Sequence, residues 1–444
     1  MSGVAGMTDT SGQPSIESPA DSATMDLRGD ESRLDPAIGT NPFPFYRALR
    51  ARAPVHYDPR LDVYLISRHE DVMTVLRDDE AFSLERGYQD RWANGHAEEL
   101  AEILNRDGGG FIRDPVYDPP THTRYRKLIE TAFTAHRVKT LEPRIRQIAA
   151  DVLDPLVGRG HADGRMDIGV PMTARIICEQ LGFDYGEVGA DRIARWSMAI
   201  VAQMGRMQTR EEMLGHAAEI CDLQNYIIGQ IRDREKTPRE DMTSDLVHAR
   251  IPGEANPTLS LHEKIAWIRA LLVGGNDTTA TALSNLTLIL ATQPDVAGQL
   301  AASVDDDRLM TRFADEVLRV APPTHGLFRT ATRAVEIAGT AIPADAQVCI
   351  LFASGNDDES IFASPREFSI ERQNAGQTLT FGGGAHRCVA AALARMEVKI
   401  AAQEMIRRFD NMKLAVPAEE LTYLPTVEPR TLERVPVTFT KRSR

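Results

Sequence analysis

The chain has 444 residues, 42% of them hydrophobic and 26% charged, with a formal net charge of -13 at pH 7. That length can bury a substantial core, and an acidic balance without a Lys/Arg block argues against nucleic acid as a general partner. Four widely spaced cysteines without a CxxC pair fit a reducing cytosol better than a disulfide framework, and no apolar run of about 18 residues marks a membrane span.

Residues 1–32 are small, polar and mildly acidic, without the basic start and apolar core of a signal peptide. They read as a disordered lead-in, with the folded part running from Arg33 to the end. NPFPFYRALRARAP then predicts a helix, VHYDPRLDVYLISR a short hairpin and HEDVMTVLRD another helix. Residues 82–120 form a long irregular segment with one helical island, HAEELAEILNRD, followed by Gly108, Gly109 and Gly110. Loops of this length inside a domain often cover a binding site.

From Thr121 to about Gln299 the pattern is almost wholly helical. Strand-like pieces return in VEIAGTAIPADAQVCILF and near PRTLERVPVTFT. The expected fold is mainly α, with a smaller β-rich lobe built from both ends of the chain and no βαβ alternation.

One helix stands out. Ser260 and Glu263 have capping-box spacing, the apolar pattern runs to Thr292, and Pro294 ends it. At ~1.5 Å per residue it spans roughly 50 Å and must be central. Its middle reads LLVGGNDTTATAL, although each mid-helix glycine costs about 1 kcal/mol relative to alanine. Gly274 and Gly275 serve either close helix packing or the approach of a flat ligand, with Asp277 and Thr278 at the same level.

The second stretch is TFGGGAHRCVAAALARMEVKIAAQEMIRRF, residues 380–409. A strand end at Leu379–Phe381 is expected to run into three glycines, then His386, Arg387 and Cys388, then a helix. Glycines allow a tight loop, and a cysteine near a helix N-terminus favours the thiolate. The small side chains of Ala390, Ala391, Ala392 and Ala394 would let a planar group lie close, and Phe381 could shield the sulfur. A lone thiolate presented in this way suits axial ligation of a heme.

These residues resemble the cytochrome P-450 family. FGGGAHRCVA matches its cysteine-ligand loop, FxxGx[HR]xCx[GA], and GGNDT at 274–278 matches its long-helix motif. EVLR supplies an ExxR pair, Glu316 and Arg319, and the SPREFSIER segment a third partner, Arg372. DPPTHTRYRKLIETAFT resembles the helix that meets the heme from the other edge. The resemblance covers roughly residues 33–444 and implies a single heme-thiolate domain of the soluble bacterial type.

The resemblance implies roles. Cys388 is the iron ligand of heme b. Gly274 and Gly275 thin the distal helix, Thr278 meets O2, and Asp277 relays protons toward it. Glu316, Arg319 and Arg372 form a buried structural network. His122, Arg126, Arg329 and His386 receive the heme propionates, while Phe381 and Ala390 pack against the heme. Arg124, Lys127 and Arg387 form a basic patch on the cysteine side, where a ferredoxin carrying electrons from NAD(P)H would dock.

Substrate contacts are expected from Trp92, Phe111, Trp196, Met198, Met204, Met207, Leu271, Leu272, Thr324, His325, Leu327 and Phe328, around a small to medium hydrophobic compound such as a terpenoid, aromatic or steroid. The implied activity is hydroxylation by an O2-dependent monooxygenase, a cytoplasmic monomer. Alternatives are a peroxide-driven peroxygenase, against which Asp277 and Thr278 speak, and a non-catalytic heme-binding or gas-sensing protein, against which the lack of an output domain speaks. One departure is NDDE at Asn356–Glu359, where the family often has NRDP; its charge pairing must differ. The other is Ala390, where glycine is commoner.

Overall fold

A computed structural model describes residues 25–89, 96–204, 209–251, 258–424 and 426–443. Val55–Asp58 and Val63–Ile66 pair antiparallel, with Val55 opposite Ile66, as the alternating pattern predicts. Val63–Ile66 then lies parallel to Gln347–Ile350, which pairs with Leu327–Ala331, and Phe82–Ser83 closes the far edge. The five-stranded sheet is therefore drawn from both ends of the chain. A second sheet joins His161–Asp163, Pro436–Lys441 and Phe409–Leu414.

Phe45, Tyr46, Leu49, Leu65 and Phe328 form a buried cluster between the first sheet and the helix Phe43–Arg52. Met25 and Leu27 pack against it, so packing reaches residues on the N-terminal side of Arg33.

The long helix is Leu261–Thr292. Its capping box is complete: Ser260 Oγ accepts from the Glu263 amide, and the Glu263 carboxylate accepts from the Ser260 amide. Asn276 ties three helices together. Its Oδ1 accepts from Thr173 on Val170–Leu181 at 2.8 Å, and its Nδ2 donates to Ser197 on Ala190–Met204 at 2.9 Å. Such fully paired polar contacts fix one register of the helix packing. Among the described residues, no helix is long and apolar enough to cross a membrane.

Three local expectations need correction. Leu379–Phe381 is a turn, not a strand end, because Asn356 Oδ1 takes the Leu379 amide and Thr378 Oγ1 the Thr380 amide, leaving no ladder. Segment 82–120 contains a second helix, Leu84–Gln89, whose entry is held by Asp118 Oδ1 accepting from the Leu84 amide. The strand Phe409–Leu414 was not expected; it is a half-exposed strand drawn into place by pairing with Pro436–Lys441.

Candidate active site

The turn after Phe381 brings Cys388 back onto it, the Cys388 amide donating to the Phe381 carbonyl at 2.8 Å. Gly384 is obligatory here: its φ is +63°, and a Cβ would meet the Leu76 carbonyl oxygen at 1.9 Å. The helix that follows is Ala391–Arg408, so Cys388 stands just ahead of its N-cap, Ala390. Cys388 is solvent-accessible and lines a cavity of ≈ 530 Å³. Burial pushes the Cys388 thiol up, while the Ala390 amide and the nearby Arg126, Arg387 and Arg395 pull it down. The Arg395 guanidinium lies 4.4 Å over the Phe381 ring, which also lines the cavity.

Buried charges hold this turn from behind. Arg319 grips Glu316 through two bonds of 2.7 and 2.8 Å, and its third nitrogen donates to the Asn356 carbonyl. Arg372 reaches Glu316 at 3.0 Å and three backbone carbonyls besides. Asn356 Nδ2 bonds Thr380, whose hydroxyl donates to Leu318. The expected triad is therefore assembled, with Glu316 fully buried. The NDDE segment pairs outward, Asp357 with Arg50 at 3.0 Å and Arg366 at 3.7 Å, and Glu359 with Arg50 at 3.1 Å.

Across the cavity runs the long helix. Trp267, Ala270, Leu271, Gly274, Asp277 and Thr278 all line it, a stripe of 3–4-residue spacing. The two glycines divide the alternatives left by the sequence. A Cβ on Gly274 would meet nothing within 4 Å, whereas one on Gly275 would lie 2.9 Å from Ile177 Cδ1. Gly274 thus opens the wall, and Gly275 lets two helices close up. Thr278 Oγ1 donates to the Gly274 carbonyl at 2.9 Å. Burial pushes the Asp277 carboxyl up, opposed by Arg165 at 4.0 Å.

At one edge of the cavity, His122, Arg126, Arg329 and His386 converge. The two imidazoles lie 4.0 Å apart, and His122 Nδ1 and His386 Nε2 are buried without a hydrogen bond, Asp79 Oδ1 standing 3.9 Å from the latter. Burial, then His122, Arg329 and Arg126, drive His386 down to about 3; burial drives Arg329 down to about 10. Buried donors that repel one another in this way call for anions between them.

The cytochrome P-450 family profile matches residues 208–415. Cytochrome P-450 130 of Mycobacterium tuberculosis is 32% identical over 84% of this chain and 90% of its own length. The 6-deoxyerythronolide B hydroxylase of Saccharopolyspora erythraea is 32% identical over 72% of this chain and 76% of its own. The solved structure of cytochrome P-450 CREJ with (4-ethylphenyl) dihydrogen phosphate superposes with a TM-score of 0.81 at 30% identity, covering 90% of this chain and 97% of that one. CYP109E1 of Bacillus megaterium in complex with testosterone gives 0.75 at 27% identity, covering 90% and 97%.

The chain belongs to the cytochrome P-450 family. It is therefore an oxygen-incorporating monooxygenase, and the family implies heme iron and O2. The residues present fit a heme: one cysteine among the lining of the cavity, an opening at Gly274, and buried ring nitrogens without a hydrogen bond at the edge where two carboxylates would lie.

Of the expected substrate contacts, Leu271, Thr324 and Leu327 line the cavity of this cytochrome P-450. His325, Leu272, Met198 and Phe111 do not. His325 is buried in the sheet lobe, its Nδ1 3.3 Å from the Tyr46 hydroxyl. Leu272, one residue past Leu271, turns about 100° away into the helical core. Met198 faces outward, and Phe111 packs, partly buried, against the helical core. Trp196 and Phe328 are likewise core residues, the Trp196 indole bonded to Asp222. Trp92, Met207 and the Met204 side chain lie outside the described residues.

Sequence reasoning missed Trp267, Gln180, Val116, Tyr117 and Glu397 in the lining. The helical stripe through Leu271 and Gly274 would have found Trp267. Glu397 carried no signal beyond a charge on the Ala391–Arg408 helix, yet it is fully buried with Oε2 unpartnered and lifted by burial to about 8.

Proposed function

We propose that residues 33–444 form one heme-thiolate domain that hydroxylates a small to medium hydrophobic compound, terpenoid, aromatic or steroid-like, with electrons passed from NAD(P)H through a ferredoxin. The observation that carries this reading is the opposition of Cys388 and the Gly274–Asp277–Thr278 wall across one apolar-lined cavity. The testosterone complex of a related structure supports the size of the substrate.

Bound, the heme supplies the iron at which O2 is reduced and from which oxygen is transferred. In this reading Cys388 ligates the iron as a thiolate, its charge supported by the Ala390 amide and the arginines around it. His122, Arg126, Arg329 and His386 hold the propionates, and Phe381 and Ala390 close against the heme face. Burial raises the Asp277 carboxyl, which favours its role as the proton donor, and Thr278 carries the proton across the wall that Gly274 opens. The Thr278 hydroxyl must first turn from the Gly274 carbonyl.

On the outer side of Cys388 lies a depression lined by Arg126, Arg387 and Arg395. Glu130 and Asp315 pair with Arg126 and Arg395, so Arg387, with Arg124 and the exposed Lys127, supplies the positive charge that would attract an acidic ferredoxin. We further propose a cytoplasmic monomer; three buried free cysteines fit a reducing compartment.

The test is a compound screen for a substrate-induced Soret shift, then NADH turnover with a surrogate ferredoxin and reductase. Product should form with O2 and NADH. Thr278→Ala should keep consuming NADH while diverting it to peroxide; unchanged coupling would remove Thr278 from the proton path, and turnover with peroxide alone would favour the peroxygenase.

A further inference from the structure

The Arg269 guanidinium is fully buried on the long helix and has no part in the roles assigned above. One nitrogen donates to Gln224 Oε1 at 2.8 Å, on the helix Arg210–Lys236. The other donates to the Ile112 carbonyl at 2.7 Å and to Asp114 Oδ1 at 2.8 Å. Gln224 Nε2 in turn donates to the carbonyls of Gly108 and Gly110, at 2.6 and 3.0 Å. The loop fits between the two helices so closely that a Cβ on Gly109 would lie 2.6 Å from Ile228 Cδ1. Asn225 Nδ2 pins the entry at the Asp107 carbonyl.

The next residues along, Asp114, Pro115, Val116 and Tyr117, are cavity wall. We infer that Arg269 is a positioning residue whose clasp on Asp114, Ile112 and Gln224 fixes the depth and mobility of the Asp114–Tyr117 wall, and thereby the size of substrate admitted. The physical reason is that a buried guanidinium satisfied by three acceptors on two elements leaves neither element free to move alone. Any outward swing of the Arg210–Lys236 helix must carry the loop with it. The inference rests on the cavity being the heme and substrate pocket.

The test compares a small and a bulky iron-binding azole, imidazole and clotrimazole, on the heme-loaded protein, together with amide hydrogen exchange. Arg269→Met replaces the clasp by an apolar side chain of similar reach, and Asp114, which borders the cavity, can then hydrate. Clotrimazole association should quicken about tenfold while imidazole affinity stays within about twofold. Exchange in residues 109–117 should rise about tenfold, and that around Cys388 should not change. Arg269→Lys keeps one ion pair and should fall between the two.

Equal changes for both azoles, or unchanged exchange at 109–117, would overturn the inference. If Arg269→Met fails to give the carbon monoxide band of a folded heme protein, Asp114→Asn and Gln224→Leu carry the same comparison. Should imidazole leave the wild-type Soret band unmoved, the heme reading itself fails, and the exchange arm still decides whether the clasp exists.

Discussion

The two walls of the cavity are built on opposite plans. On the cysteine side, a turn is held by side chains that bond its backbone: Asn356 on Leu379 and Thr378 on Thr380, with Arg319 in turn fixing Asn356. On the distal side, a continuous helix supplies its own backbone bonds, and function is written in what the side chains omit, a hydrogen at Gly274 where a methyl would fit. The first wall is braced by buried, paired polar groups such as Glu316 and Arg319. On the second, Asp277 and Thr278 face the cavity.

The sharpest break of this comparison is Cys388→Ser. It should abolish the red-shifted absorption of the reduced carbon monoxide complex altogether, because no other described cysteine lines the cavity. A surviving band would mean that the iron is held elsewhere.

Next in size is Glu316→Gln, which leaves Arg319 and Arg372 buried around a neutral amide. Loss of one partner from a buried ion network should cost about 3–5 kcal/mol, measured by denaturant unfolding. The same measurement on an exposed pair such as Arg333–Asp78 should show less than about 1 kcal/mol.

Glu397 gives the pH-dependent case. Its folded value of about 8 lies above the ordinary carboxylate value, so the folded protein keeps a proton that the unfolded chain releases. Its contribution to stability is complete below pH 4.5 and declines as pH rises through about 8. The loss should be on the order of a few kcal/mol. Glu397→Gln should flatten that alkaline slope in thermal melts at pH 5 to 8.5; an unaltered slope would assign it to another group.

The smallest effect separates the two glycines. Gly274→Ala should stabilise the helix by up to about 1 kcal/mol, since nothing obstructs the methyl, while slowing carbon monoxide binding at the heme. Gly275→Ala should gain less or lose, because Ile177 must yield. Equal melting temperatures for the two would erase the distinction.

Legibility in the sequence follows the same division. The Glu316–Arg319 pair and the capped long helix are specified by neighbours within a few residues and stand as read, whereas the turn before Cys388 replaces an expected strand end because distant Asn356 takes its backbone. Arg372 also joined the triad, through a segment that local pattern alone would not single out. The substrate wall is otherwise. Gln180, Val116 and Glu397 meet there from three separated elements, so their convergence depends on tertiary packing that no local spacing encodes. His325 shows the reverse error: beside the cavity-lining Thr324, it faces the opposite side of an extended segment and serves the sheet lobe.

The staple formed by Arg372 has a consequence for assembly order. It reaches Glu316, 56 residues earlier in the chain, so the turn carrying Cys388 cannot take its final shape until the helix Asp307–Val320 has docked. Contacts of such separation form late in folding. The turn that carries Cys388 should thus be among the last parts of the chain to take its final shape.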